Sequence, residues 1–349
     1  MSKAERGRFF EDFALGVTIE HATPRTLTEG DAALYQALYG SRFALQSSTP
    51  FAQKLGLKAA PLDDLLVFHT VFGKSVPDIS LNAVANLGYA EGKVFTPVFP
   101  SDTLTAKSEV IGLRENSNRK SGIVYVRTGG YNQRGHLVLG YTRWVMVNKR
   151  DEKSPAPPET VPALAKSLAA EKLTPPETRF ASYDFKLAGS ARRWSDYAVG
   201  EKLDHGDGQT IEEAEHQLAT RLYQNTAKVH FNAHAQAPSR FGKRLVYGGH
   251  IISIARALSF NGLENAVNLV ALNAGTHVAP SFAGDTIYAW TEVLDRGEAR
   301  RDRPDLGYLR LRSIALKNEA GAAFPYRDAA GVYHPSVVLD LDYWVAMPR

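Results

Sequence analysis

The segment Leu222 to Asn232 reads LYQNTAKVHFN and sets Asn225 and His230 five residues apart. Imidazole is the side chain that titrates near neutral pH unperturbed, so His230 is the group able to move a proton there. Asn225 offers an amide that can orient a partner but cannot carry the proton. The spacing suggests a polar pair in a loop that leaves one helix and turns before the next element. A histidine in a loop is also commonly a surface or hydrogen-bonded structural group, so spacing alone leaves both readings open. His234, four residues beyond His230, could form a metal pair with it at helical spacing. No third ligand of the H-E-x-x-H kind stands nearby and the chain has no cysteine, so no metal is expected. Tyr247-Gly248-Gly249-His250 precedes an apolar run. A helix beginning there would present free N–H groups and a positive dipole, and glycine would let another group come close. The same glycine pair also suits a turn that needs positive φ.

The elements that must hold these residues come from a duplicated pattern. Phe10-Glu11-Asp12-Phe13-Ala14-Leu15-Gly16 is echoed by Trp194-Ser195-Asp196-Tyr197-Ala198-Val199-Gly200, residue 194 against residue 10, an offset of 184. At the same offset Thr26-Leu27-Thr28-Glu29 meets Thr210-Ile211-Glu212-Glu213, and both T-x-x-E strings read as capping boxes at helix starts. Leu34 and Leu38 then match Leu218 and Leu222, each pair on one helix face. Thr96 to Thr103 matches Ala279 to Thr286, and the turns Asn132-Gln133-Arg134-Gly135 and Asn318-Glu319-Ala320-Gly321 correspond. The closing strand around Trp344 lies about 14 residues later than the one around Trp144 would place it, which assigns an insertion to Phe324–Pro335. Each half therefore reads as a capped helix, a loop, an apolar helix and several alternating strands. The apolar helix of the second half carries Ile251, Ile254, Ala255 and Leu258 and stops at Asn261-Gly262; its counterpart, Leu65 to Phe72, stops at Gly73. One helix wrapped by an antiparallel sheet, made twice, is an α+β architecture, with residues 1–150 and 179–349 as the repeats. Sheets packed edge to edge would protect edge strands. Residues 151–178, prolines bracketing an alanine-rich stretch, read as a linker with a short helix in its middle.

This order of elements resembles a double hot-dog fold, and the loop resembles that of the MaoC-type, (R)-specific enoyl-CoA hydratases. Their signature runs roughly G-D-x-N-P-[IL]-H-x-D, with the catalytic Asp five residues before the catalytic His. Setting His230 on that histidine puts Asn225 on the aspartate, Ala227 on the asparagine, Lys228 on the proline, Val229 on the aliphatic position and Asn232 on the second aspartate. Subtracting 184 carries the pair to Ser41 and Gln46 within GSRFALQSSTPFA, where Gly40, Leu45, Phe51 and Ala52 keep the frame. Neither Ser nor Gln can transfer a proton near pH 7, so the first repeat reads as a degenerate copy of the site. The resemblance implies hydration of an enoyl-CoA thioester without metal or redox cofactor, with His230 moving the proton, Asn225 orienting water, and Gly248 and Gly249 as thioester oxyanion donors. At about the equivalent place the first half has Leu62-Asp63, bulky and anionic. CoA brings phosphates and a dicarboxylic acyl group would bring a carboxylate, so Lys228, Arg240, Lys243, Arg244 and Arg42 are candidate cations and Tyr247 a candidate wall. His250 and His277 lie in segments that could approach the site, although both read more readily as packing or capping residues. Two rival classes remain: a hot-dog thioesterase, although those enzymes usually rely on a carboxylate on the central helix, and a non-catalytic acyl-CoA binding or scaffold protein, which would tolerate loss of both polar pairs where only one is lost.

Bulk properties fit this picture. The 349 residues exceed what one core usually serves, and 44% hydrophobic with 22% charged residues is ordinary for a globular protein. A net charge of +4, with basic residues dispersed, suits a small anionic substrate and shows no nucleic-acid arm. The polar start MSKAERGRFF and the absence of a long apolar run lead us to expect a cytoplasmic chain without membrane contact. A homodimer is the default expectation for assembly.

Overall fold

The computed structural model describes residues 7–349. Ten strands form one antiparallel sheet: β1 (Thr18–Thr26), β2 (Ala83–Val94), β3 (Thr103–Glu115), β4 (Ser121–Tyr131), β5 (Leu137–Asn148), β6 (Lys202–Thr210), β7 (Asn268–His277), β8 (Thr286–Glu298), β9 (Leu306–Lys317) and β10 (Val337–Pro348). Their order is β1-β3-β4-β5-β2-β7-β10-β9-β8-β6, so each half contributes five strands in the same arrangement. Alternation fixes the register: on β3, Leu104, Ala106, Ser108 and Val110 are buried while Thr105, Lys107 and Glu109 face water. The halves meet at β2 and β7, through Tyr89↔Gly275, Ala90↔Ala274, Gly92↔Leu272 and Lys93↔Ala271. That pairing satisfies two backbone edges at once and leaves only β1 and β6 at the sheet's ends.

Of the four longer helices, α2 (Asp64–Ser75) and α4 (Gly248–Leu258) pack on the sheet, while α1 (Glu29–Tyr39) and α3 (Glu213–Leu222) pack on each other and on α4. Helices α2 and α4 are the central pair and are buried along almost their whole length. They touch through residues related by the repeat, since His69 Nε2 lies 3.1 Å from Ser253 Oγ. The hydroxyls of Tyr39 and Tyr223, another pair 184 apart, meet at 2.8 Å. Equivalent side chains of the two copies thus meet across the joint. Among the described residues no helix is long and apolar enough to cross a membrane.

Several local expectations are corrected. The T-x-x-E strings are strand ends: Thr26 and Thr210 bond across the sheet to Thr103 and Thr286, at 2.7 and 2.8 Å. Helix α1 is instead capped by Thr28 with Asp31, and α3 starts without a side-chain cap. Gly73 does not stop α2, which continues to Ser75 and into a π turn, Val76–Ser80. Its lack of a side chain serves close approach, because a Cβ there would lie 1.8 Å from the Tyr223 carbonyl oxygen. In place of a helix the linker forms a 3₁₀ turn, Ala170–Lys172, and a bridge from Thr160 to Leu113. Its backbone is drawn to the sheet: Leu168 N–H donates to Asn273 and its carbonyl accepts from the Trp344 indole, each at 2.9 Å. The longer connection in the second half lies between β9 and β10, where residues 318–336 replace the short turn 132–136 and include a bridge between Arg327 and Tyr333.

Candidate active site

Asn225 and His230 are brought together on the wall of a cavity of about 390 Å³ that both halves line. Helix α3 ends at Leu222, and Gln224 adopts positive φ to turn the chain into the loop. Gly73 of α2 fits beneath that turn, close to the Tyr223 carbonyl and the Asn225 amide. Asn225 is 2% exposed, and its Oδ1 accepts the Ala227 N–H at 3.1 Å. The side-chain oxygen is therefore committed to the loop, and the amide NH₂ is what Asn225 can offer to the cavity.

His230 sits on a single helical turn, Lys228–Phe231. The strand-like segment leading to α4 holds it: Leu245 N–H donates to the Val229 carbonyl at 3.0 Å, and the Leu245 carbonyl lies 3.0 Å from His230 Nδ1. A carbonyl can only accept, so Nδ1 carries the proton in the neutral ring and Nε2 keeps a free lone pair. Burial pushes the imidazole down to about 4; the Leu245 hydrogen bond opposes this, and His216 adds to it. His230 is thus neutral at physiological pH and able to accept a proton.

Tyr247 caps the start of α4, with its ring centroid 5.6 Å from those of His230 and of Phe72. Its hydroxyl lies 3.4 Å from His69 Nδ1. Gly248 opens α4 and lines the cavity. The space that a Cβ would take at Gly248 is filled by the His277 ring at 2.3 Å, and at Gly249 by the Tyr247 and His69 rings at 2.3 and 2.6 Å. These glycines therefore make room for neighbouring rings, which corrects the expectation that they clear space for a thioester. The first-turn N–H of Gly248 faces no intrahelical acceptor. Gly249 is buried and does not line the cavity.

Of the candidate cations, Lys228 lines the cavity and is exposed, at its rim. Arg240 and Arg42 do not line it, which corrects both expectations. Arg240 is exposed, its guanidinium 5.3 Å from the Phe241 ring. Arg42 bonds Asn261 at 2.6 Å and lies 4.4 Å over Phe260. Lys243 lies over Phe282, and Arg244 pairs with Glu213.

Residues that motif reasoning passed over complete the wall. Phe72, Asn86, Tyr89 and Arg143 come from the first half and His277 from β7. His277 is pushed down to about 4 by burial and by His230, and its Nε2 lies 3.4 Å from the Tyr89 hydroxyl. It belongs to the cavity, whereas His250, bonded to Tyr39 at 2.9 Å, belongs to the core. The signal that could have found the first-half residues is the pairing of β2 with β5 and β7, a long-range feature.

At the related place in the first half, Asp63 caps α2 where Tyr247 caps α4, and Asp64 stands where Gly248 does. The alignment is one residue later than Leu62-Asp63. Burial raises Asp64 to about 7, helped by Asp63. Arg256, at the position of Phe72 in the repeat, packs 3.8 Å over Phe43. A space of about 10 Å³ remains beside Gln46, Asp63, Asp64 and Arg256, too small for a substrate.

The mesaconyl-CoA hydratase family model matches residues 1–332. The chain belongs to that family. It is 62% identical over 349 residues to the β-methylmalyl-CoA dehydratase of Chloroflexus aurantiacus, covering 100% of this chain and 99% of that one. It is 61% identical to the mesaconyl-CoA hydratase of Cereibacter sphaeroides, over 99% and 100% of the two chains. Among solved structures, a MaoC domain protein dehydratase of Chloroflexus aurantiacus superposes with a TM-score of 0.97 at 61% identity, over 100% of this chain and 99% of that one. A Mycobacterium tuberculosis protein described as a double hot-dog fold aligns at TM-score 0.75 and 24% identity over 98% and 99% of the chains, which supports the fold.

Proposed function

We infer that this protein catalyses the reversible addition of water to mesaconyl-CoA, giving β-methylmalyl-CoA, the reaction named for its relatives. The observation that carries the mechanism is His230, neutral, with Nδ1 fixed on the Leu245 carbonyl and Nε2 free on a cavity wall. Water held at Nε2 loses a proton to the imidazole as its oxygen bonds to the carbon β to the thioester. The electron pair of the double bond moves toward the thioester, whose oxygen gains enolate charge. The imidazolium then returns the proton to the α-carbon, so one H and one OH are added and the enzyme is restored. One imidazole serving both transfers delivers them to the same face of the double bond.

Asn225 orients the water through its NH₂, and the Gly248 N–H at the start of α4 supports the developing oxyanion. Lys228 at the rim is suited to the CoA phosphates. The reaction changes no net oxidation state, so the proposed chemistry asks for no redox cofactor. Helix α4, GGHIISIARAL, carries no carboxylate of the kind the rival thioesterase reading requires. Incubation with mesaconyl-CoA, followed by enoyl-thioester absorbance beside a thiol assay, separates the readings. Loss of absorbance without thiol is expected; release of thiol would establish the thioesterase instead.

A further inference from the structure

Arg143 on β5 belongs to the half whose own site is closed, yet its side chain reaches the cavity of His230. It is 0% exposed. Its Nη2 donates to Ser75 Oγ at 2.9 Å, Ser80 Oγ lies 3.4 Å from both Nη atoms, and the guanidinium stacks 4.2 Å over Phe72. Nε has no acceptor. Among the described residues no carboxylate forms an ion pair with Arg143. A buried cation answered only by hydroxyls and a ring is costly unless a counter-charge arrives with a ligand. Asn86, on the paired strand β2, lines the same cavity, and both its side-chain Oδ1 and Nδ2 are buried without a partner among the described residues. Unused hydrogen-bonding capacity from both strands is therefore turned to one chamber.

We propose that Arg143, with Asn86 on the wall of the same cavity, receives the free carboxylate of the acyl group and makes this site specific for enoyl-CoA esters of dicarboxylic acids. The proposal rests on the hydratase reading and deepens it. In mesaconyl-CoA the free carboxylate is attached to the carbon β to the thioester, the carbon that water attacks. Pairing it with a guanidinium fixed by Ser75 and Phe72 holds that carbon in one place relative to His230. A monocarboxylic enoyl-CoA would fill the chamber but leave the cation unpaired, and a site built around such a pair discriminates strongly against the missing group.

The test compares kcat/KM for mesaconyl-CoA with that for 2-methylcrotonyl-CoA, in which a methyl group replaces the carboxylate. The full chain is used as wild type, Arg143→Gln and Arg143→Lys, with circular dichroism to report folding. We expect the wild-type preference for mesaconyl-CoA to collapse by about 100-fold or more in Arg143→Gln, mainly through KM, with Arg143→Lys restoring part of it. An unchanged ratio, whether both substrates fall together or neither does, would overturn the proposal. If Arg143→Gln does not fold, Arg143→Lys decides: a preference reduced by about tenfold supports the proposal and an unchanged one overturns it. Absence of mesaconyl-CoA hydration by the wild type is a separate result, which would remove the hydratase reading and this proposal with it.

Discussion

Replacing Gly73 with alanine should disable the site from outside the cavity. The added Cβ would lie 1.8 Å from the Tyr223 carbonyl oxygen, 2.9 Å from its carbon and 3.4 Å from the Asn225 amide nitrogen. A carbon and a carbonyl oxygen approach ordinarily to about 3.3 Å, so one backbone must retreat by roughly 1.5 Å. Helix α2 is buried between the sheet and α4, while the chain at Tyr223 to Asn225 is a turn with positive φ at Gln224, so the turn is the part that yields. Overpacking of this kind costs about 1–3 kcal/mol, which a folded protein of this size can survive. Displacing a positioned group by about 1 Å can cost on the order of 10²-fold in rate. The expected result is a folded Gly73→Ala protein, verified by circular dichroism and thermal melting, whose kcat/KM for mesaconyl-CoA is down by about 10²-fold. A folded variant with wild-type kinetics would refute the argument that this glycine sets Asn225.

Acid should act twice on this protein. The His230 base is depressed by burial to about 4, so kcat/KM should stay level through neutrality and fall only well below pH 6.5; a limb centred at 6.5 or above in the pH–rate profile would contradict its neutral state. His69 and His250 are depressed to about 3 and His205 and His277 to about 4, chiefly by burial, so the unfolded chain binds more protons than the folded one below about pH 6.5. Their contribution to stability is complete above that pH and is lost as pH falls toward the folded values, which denaturant melts across pH 4–7 can check against a flat profile. Rebuilding the second site should fail: Ser41→Asn with Gln46→His, placed in a His230→Ala background, should restore no hydratase activity because Arg256 and Asp64 occupy what would be the acyl chamber. Any substantial recovery in the absorbance assay would show that the chamber can open.

The duplication was legible because its signals are local. Paired aromatics around Asp12 and Asp196, an apolar helix at Ile251 and a turn at Asn318 each lie within one short window, and each corresponds to an element in the same position of the two halves. What escaped was physical detail that only packing decides. Thr26 and Glu29 satisfy a capping pattern, but the strand pairing of Thr26 with Thr103 wins. Gly73 looks like a helix stop until the Tyr223 carbonyl is seen against it. The linker's alanines favour a helix, yet its backbone finds partners on Asn273 and Trp344. At the site, the loop with Asn225 and His230 was readable, whereas searching for cations near it in sequence led to Arg240, exposed, and away from Arg143. Arg143 reaches the chamber through the β2–β5 pairing, where it faces Tyr89, and through the joint of β2 with β7.

One imidazole carries the proposed chemistry. His230→Ala should remain folded, because the ring is half-buried on a cavity wall, and should lose about 10²- to 10⁴-fold in kcat for mesaconyl-CoA in the absorbance assay. A folded His230→Ala protein that hydrates mesaconyl-CoA at close to the wild-type rate would contradict it.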